Sequence, residues 1–128
     1  MTQVTNTVRF VLDGEIMEAQ GVRRTTTVLD YLRDDMQRTG TKEGCAEGDC
    51  GACVIMVGEL NAAGTGIDYK PVNSCIQLLP ALDGKSLKTV ESLKRADGSL
   101  HPVQSAMVDC HGSQCGFCTP GIVMSLTN

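Results

Sequence analysis

Three of the seven cysteines in this 128-residue sequence crowd one short stretch: Cys45, Cys50 and Cys53 follow a C-x4-C-x2-C spacing, and Cys75 stands as a distant fourth. Four thiolates in this pattern match the ligand spacing of plant-type 2Fe-2S centres, whose chemistry is the transfer of single electrons. Such a centre is negatively charged when oxidised and more so when reduced, so its binding loop must offset that charge. No Lys or Arg lies between Cys45 and Cys53. The compensation therefore has to come from backbone N–H groups turned toward the sulfurs, an anion-binding nest. Gly44, Gly48 and Gly51 allow that turning, because glycine adopts positive φ without strain and leaves no side chain in the way. Four thiolates also satisfy tetrahedral zinc, but zinc sites usually pair two short C-x2-C knuckles, whereas here three ligands share one loop.

A second pair, Cys115 and Cys118, lies in QCGFCTPG just ahead of a helix predicted to start at Pro120. A helix N-terminus presents free N–H groups and the positive end of the dipole to an anionic centre. Taken alone, a C-x2-C pair also fits thioredoxin-like redox chemistry or half a zinc site. Cys110 continues the apolar face of Val103, Ala106 and Met107 and is expected to be a buried thiol acting as a small hydrophobe. A Rieske-type site fails on count and spacing, since His101 and His111 are the only histidines and read as loop or helix-end residues. The carboxylates Asp34, Asp35, Glu47 and Asp49 read as solvated, or as facing a partner. No catalytic triad and no phosphate-cradling glycine loop is found, so no residue of this chain is assigned a catalytic role.

The elements that must position these thiols follow from periodicity. Val8, Phe10 and Leu12 alternate with polar residues, Asp13-Gly14 is a two-residue turn signal and Ile16-Met17 opens a second run, which together read as a hairpin. Thr27 is expected to cap a helix with Val28, Leu29, Leu32 and Met36 on one side, lying across the hairpin, with Gly40 as its left-handed C-terminal cap. Thr41 to Ala52 lacks periodicity and reads as a wrapping loop. Val54 to Val57, Ile67 to Val72 and Leu87 to Val90 are the expected third, fourth and fifth strands, with Cys75 and a Pro80 break between the last two. Ala96-Asp97-Gly98-Ser99 is a turn-rich connector, which divides the chain into residues 1–94 and 95–128. Beyond it, Pro102 suits the first position of one helix, and Thr119-Pro120 is a cap-plus-first-turn signal for another through Ile122, Val123 and Leu126. The fold class is α+β.

A formal charge of −4, no Trp, two Phe and two Tyr give no reason to approach nucleic acid. No stretch nears the roughly 20 apolar residues of a membrane helix, Met1 to Gly14 has no signal-peptide pattern, and an odd cysteine count favours metal ligation over disulfides. A cytoplasmic, reducing location is the expectation.

The motifs TKEGCAEGDCGAC, VNSC and HPVQSAMVDCHGSQCGFCTPG together resemble the iron-sulfur portion of the xanthine dehydrogenase family of molybdenum hydroxylases, over nearly the whole chain. The resemblance implies a β-grasp, ferredoxin-like 2Fe-2S domain followed by the start of a small helical bundle holding a second 2Fe-2S cluster. By that likeness Cys45, Cys50, Cys53 and Cys75 bind the first cluster. Cys115 and Cys118 supply half the ligands of the second, whose other half is a later C-x-C motif absent here, as in a fragment of a longer subunit. Cys110 matches no ligand. Gln114 would contact the molybdenum-pterin cofactor, and electrons would pass to FAD and then NAD. Partners implied are an FAD-binding domain or subunit and a molybdenum-binding subunit. Within the family the motifs look closest to small subunits of bacterial xanthine dehydrogenases, acting in purine hydroxylation, with aldehyde or carbon monoxide dehydrogenase small subunits as near alternatives. A free ferredoxin carrier is the alternative of a different class; the apolar helical faces of residues 101–128 argue against it.

Overall fold

The hairpin forms where alternation placed it. Strands β1 (Val8–Leu12) and β2 (Glu15–Ala19) pair antiparallel, and β1 buries Val8, Phe10 and Leu12 while exposing the residues between them. Asp13 and Gly14 join the strands with φ of 54° and 78°, the left-handed pair that a two-residue hairpin turn requires. In this computed structural model, which describes residues 7–45, 47–48, 50–94 and 97–127, the hairpin is one edge of a five-stranded mixed sheet.

The other strands are β3 (Val54–Leu60), β4 (Ile67–Asn73) and β5 (Ser86–Lys88), and the order across the sheet is β2-β1-β5-β3-β4. The short β5 is the keystone, parallel to β1 on one side and antiparallel to β3 on the other. Helix α1 begins at Val28–Asp30, where the Thr27 hydroxyl accepts the Asp30 N–H at 3.1 Å, and continues through a widened turn, Tyr31–Asp35. That turn closes with the Met36 N–H on the Tyr31 carbonyl, five residues back, at 3.0 Å. Val28 and Leu32 pack with Phe10, Ile55, Leu79, Leu82 and Leu87 in one core, and Phe10 meets the Tyr31 ring edge-on, 6.2 Å between centroids. This is the expected α+β, ferredoxin-like unit, with α1 lying on the sheet.

Gly40 does not cap α1. The helix ends earlier, and the left-handed residue is Gln37, at φ 58°. Gly40 serves close approach instead: a Cβ there would stand 2.7 Å from Val90 Cγ1 and 2.8 Å from Glu91 Cδ.

Of the expected connector, Arg95 and Ala96 lie outside the described residues. Asp97 to Ser99 forms a turn in which Asp97 Oδ1 accepts from the Ser99 N–H at 2.9 Å and the Ser99 hydroxyl at 2.7 Å. These bonds hold the Asp97 carboxyl below its usual range. Helices α2 (Pro102–Asp109) and α3 (Thr119–Leu126) follow. The start of α2 is closed by a reciprocal cap: His101 Nδ1 accepts the Val103 N–H at 3.1 Å, and Gln104 Oε1 accepts the His101 N–H at 3.0 Å. This is the helix-end role expected of His101. Thr119 is not the cap of α3. Cys118 holds that position, and the Thr119 hydroxyl, one residue inside, reaches the Ser113 hydroxyl at 2.7 Å. Helix α3 is not detached from the first unit; it buries Gly121, Val123 and Met124 and packs on β3.

Candidate metal centre

The loop between α1 and β3 carries Cys45, Cys50 and Cys53, and the stretch after β4 carries Cys75. The fold brings all four together. Cys53 and Cys75 are buried, Cys45 is half-buried and Cys50 is exposed, and no disulfide joins any of the seven cysteines.

Among the described residues, five backbone N–H groups donate to these sulfurs. Cys45 and Ala52 each donate to Cys50 Sγ at 3.4 Å. Glu47 donates to Cys45 Sγ at 3.4 Å and Cys50 does so at 3.2 Å, while Gly48 donates to Cys75 Sγ at 3.2 Å. This is the inward-facing nest that a loop without Lys or Arg needs. Gly48 and Gly51 adopt φ of 81° and 74° to build it. Gly44 contributes through its small size, because a Cβ there would stand 2.5 Å from Cys50 Sγ and the sulfur occupies the space a side chain would fill.

The thiols fall into pairs. Cys45 and Cys50 exchange N–H to sulfur bonds, and Cys53 hydrogen-bonds Cys75. Among the described residues no three His, Cys, Asp or Glu side chains converge on a point where one ion could be held. Paired thiols suit two irons better than a single tetrahedral zinc, which draws four ligands onto one centre. Burial, foremost, and then the hydrogen bond between Cys75 and Cys53, which favours the protonated thiol, push Cys75 up to about 11; the Gly48 N–H opposes them, and the charges of Cys53 and Cys45 add to them. Four thiolates held this close call for positive charge among them, which the iron core of a cluster would supply.

Two neighbours in VNSC that the spacing alone did not single out lock the quartet. Asn73 Nδ2 donates to the Gly48 carbonyl at 3.1 Å, and its Oδ1 lies 3.9 Å from Cys53 Sγ. The buried Ser74 hydroxyl donates to the Cys53 carbonyl at 2.7 Å. The sequence signal was their position, polar residues immediately ahead of a candidate ligand. Asn73→Ala is expected to lower stability by about 0.5–1.5 kcal/mol, the net worth of a hydrogen bond, read as a fall in Tm.

Cys115 and Cys118 are both exposed, in a loop turned by Gly116 at φ 84° that leads into α3. Gln114 is exposed in the same loop, and His111 is exposed at φ 53°. Cys110 is not buried as its apolar neighbours implied: it is exposed, at the C-terminal cap of α2, where its N–H returns to the Ala106 carbonyl at 2.9 Å. The reason is that α2 buries none of its residues, so the apolar face Cys110 continues is itself open. Asp34, Asp35 and Glu47 are exposed as expected, and Asp49 lies outside the described residues. No described helix is long and apolar enough to cross a membrane.

Comparison with known proteins matches residues 10–77 to the 2Fe-2S iron-sulfur cluster binding domain and residues 89–128 to a 2Fe-2S binding domain. The chain is 42% identical over 124 residues to a xanthine dehydrogenase of Drosophila subobscura, covering 97% of this chain and 9% of that protein. It is also 42% identical over 117 residues to aldehyde oxidase 1 of Bos taurus, covering 91% and 9%. It thus spans about a tenth of the length of these curated relatives. Among solved structures, quinoline 2-oxidoreductase from Pseudomonas putida superposes with a TM-score of 0.78 at 31% identity, over 94% of this chain and 67% of that one. The aldehyde oxidoreductase from Desulfovibrio desulfuricans superposes with a TM-score of 0.79 at 31% identity, over 94% and 12%. With nest, paired thiols and both domain matches in agreement, the chain belongs to the 2Fe-2S iron-sulfur cluster binding domain family, and it is similar to the corresponding tenth of xanthine dehydrogenase and aldehyde oxidase relatives.

Proposed function

We propose that this segment relays electrons singly from a molybdenum-pterin centre toward FAD, and then NAD, in a longer xanthine dehydrogenase-type enzyme during purine hydroxylation. When bound, a 2Fe-2S cluster accepts and returns one electron at a time. Cys45, Cys50, Cys53 and Cys75 hold one such cluster, and Cys115 and Cys118 hold one side of another. The observation that carries the reading is the set of backbone N–H groups of Cys45, Glu47, Gly48, Cys50 and Ala52 aimed at the thiol sulfurs. These residues bind and stabilise negative charge, and the chain performs no substrate chemistry of its own. Gln114, exposed beside Cys115, contacts the molybdenum-pterin. The divide between ferredoxin-like and helical units falls between residues 94 and 95, the partners are an FAD-binding and a molybdenum-binding domain or subunit, and the location is the reducing cytoplasm.

The similarity to aldehyde oxidase 1 of Bos taurus, at the same identity as to the xanthine dehydrogenase of Drosophila subobscura, supports a second reading in which the electrons originate from an aldehyde. Turnover of the complete enzyme with xanthine and with an aldehyde separates the two. Iron and acid-labile sulfide content of the complete enzyme tests the relay: about four of each per copy of this segment, with visible absorbance that dithionite bleaches, is expected for two clusters. A colourless protein containing zinc overturns it. Cys115→Ala is expected to lower iron by about two per chain, whereas Cys110→Ala leaves it unchanged.

A further inference from the structure

Helix α3 touches the cysteine loop at a point where neither side offers a side chain. Gly121 is buried one turn into α3, three residues beyond Cys118. A Cβ built on Gly121 would collide with the Gly51 carbonyl oxygen, stand 2.9 Å from the Gly51 carbonyl carbon and 3.1 Å from Ala52 Cα. All of these are backbone atoms, which cannot swing aside as the end of a flexible side chain does. Gly51 adjoins Cys50, and its carbonyl accepts the Val54 N–H at 3.3 Å at the entry to β3. Ala52, next to it, sends its N–H to Cys50 Sγ at 3.4 Å and accepts the Lys42 N–H at 3.3 Å. On the helix side, the Ile122 N–H returns to the Cys118 carbonyl at 3.2 Å, and the buried Val123 and Met124 fix the rotation of the same face. The path from Cys118 to Cys50 therefore runs through one short stretch of chain on each side and a single backbone contact.

A glycine inside a helix is less favourable than alanine, so this position gives up helix stability for something else. Its φ is not in the left-handed region, which leaves close approach as the reason. We propose that Gly121 is the positioning residue that sets the separation of the two cysteine sites, by letting α3 seat directly on the Gly51 carbonyl. The inference rests on the relay reading insofar as both sites carry clusters. The added methyl of Gly121→Ala has to be accommodated either by lifting α3 or by turning the Gly51 carbonyl away from Val54, and both alter the distance from Cys118 to Cys50.

The test uses the complete, cluster-loaded enzyme carrying Gly121→Ala, with Ile122→Ala, an exposed position on the same helix, as the control. With both clusters reduced, the electron paramagnetic resonance splitting produced by their mutual spin interaction is expected to change in Gly121→Ala, in either direction, and to stay at the wild-type value in Ile122→Ala. A Gly121→Ala enzyme with full iron and wild-type splitting overturns the proposal. Amide hydrogen exchange over residues 50–54 and 119–127 reads the contact independently of cluster content, so it applies even where the variant assembles incompletely. Faster exchange in at least one of the two stretches is expected, and wild-type exchange in both overturns the proposal. If wild-type enzyme contains only about two irons per chain, the two-cluster relay reading fails, while the exchange comparison still decides the role of Gly121.

Discussion

Replacing Cys75 with alanine is expected to remove about two iron and two sulfide per chain and the visible absorbance they carry, leaving a chain that still folds. Of the four proposed ligands, Cys75 is the one supplied from outside the loop, so no residue of the loop stands in its place. Its sulfur accepts the Gly48 N–H at 3.2 Å and lies against Cys53, and both interactions vanish with it. The hydrophobic core is separate: Cys75 clusters with Leu29 and Cys53, not with Phe10, Leu32 and Leu87. Fold and cofactor binding should therefore part company in this variant. Far-ultraviolet circular dichroism near that of the wild type, together with the loss of iron, is the expected pair of results; unchanged iron content sinks the assignment of Cys75 as a ligand.

Gly44→Ala is expected to be nearly as damaging to the cluster, and Gly51→Ala much less so, although the two glycines stand at opposite ends of the same loop. At Gly44 the obstacle is the Cys50 sulfur, 2.5 Å from the added carbon, and a sulfur fixed to iron has nowhere to go. Gly51 is instead left-handed, and the nearest atom to a Cβ there is Val54 Cγ2 at 3.9 Å, so alanine meets strain without collision. That strain amounts to about 1–2 kcal/mol. Iron content should fall sharply in Gly44→Ala, while Gly51→Ala should retain its iron and melt at a lower temperature. Equal iron in both variants would show that the loop does not press on Cys50 as described.

Most of the sheet was legible in the sequence because its strands announce themselves locally. Val8, Phe10 and Leu12 alternate, Asp13-Gly14 is a hairpin turn by chemistry alone, and Val54 to Val57 is β-branched and apolar. Gly40 and Cys110 depart from their expected roles because each was assigned from its own helix: α1 stops before Gly40, and α2 buries none of its residues. Gly40 is needed by Val90 and Glu91, some fifty residues away, and a sequence does not distinguish a glycine used for its freedom from one used for its slimness. The proposed ligand set could be named from the sequence because a 2Fe-2S centre dictates spacing. Asn73 and Ser74 could not, since a polar residue beside a candidate ligand looks like any loop residue until the carbonyls of Gly48 and Cys53 arrive next to it. The seat of α3 on Gly51 left one trace, a glycine inside a helix, and that trace has meaning only once the opposing backbone is known.

The central position of β5 bears on how such a chain is made. As synthesis proceeds from the N-terminus, the hairpin and α1 emerge first, then the three clustered cysteines, then β3 and β4. Until Ser86–Lys88 appears, however, β1 and β3 have nothing between them, and the two halves of the sheet cannot join. Pairings this distant in sequence form late because the intervening loop must close before they contribute any stability. The open cysteine loop thus leaves the ribosome well before Cys75 and the strand that completes its support. Iron and sulfide are best delivered after translation has passed Lys88, to a nascent unit whose vulnerable interval ends when its shortest strand slides into the middle.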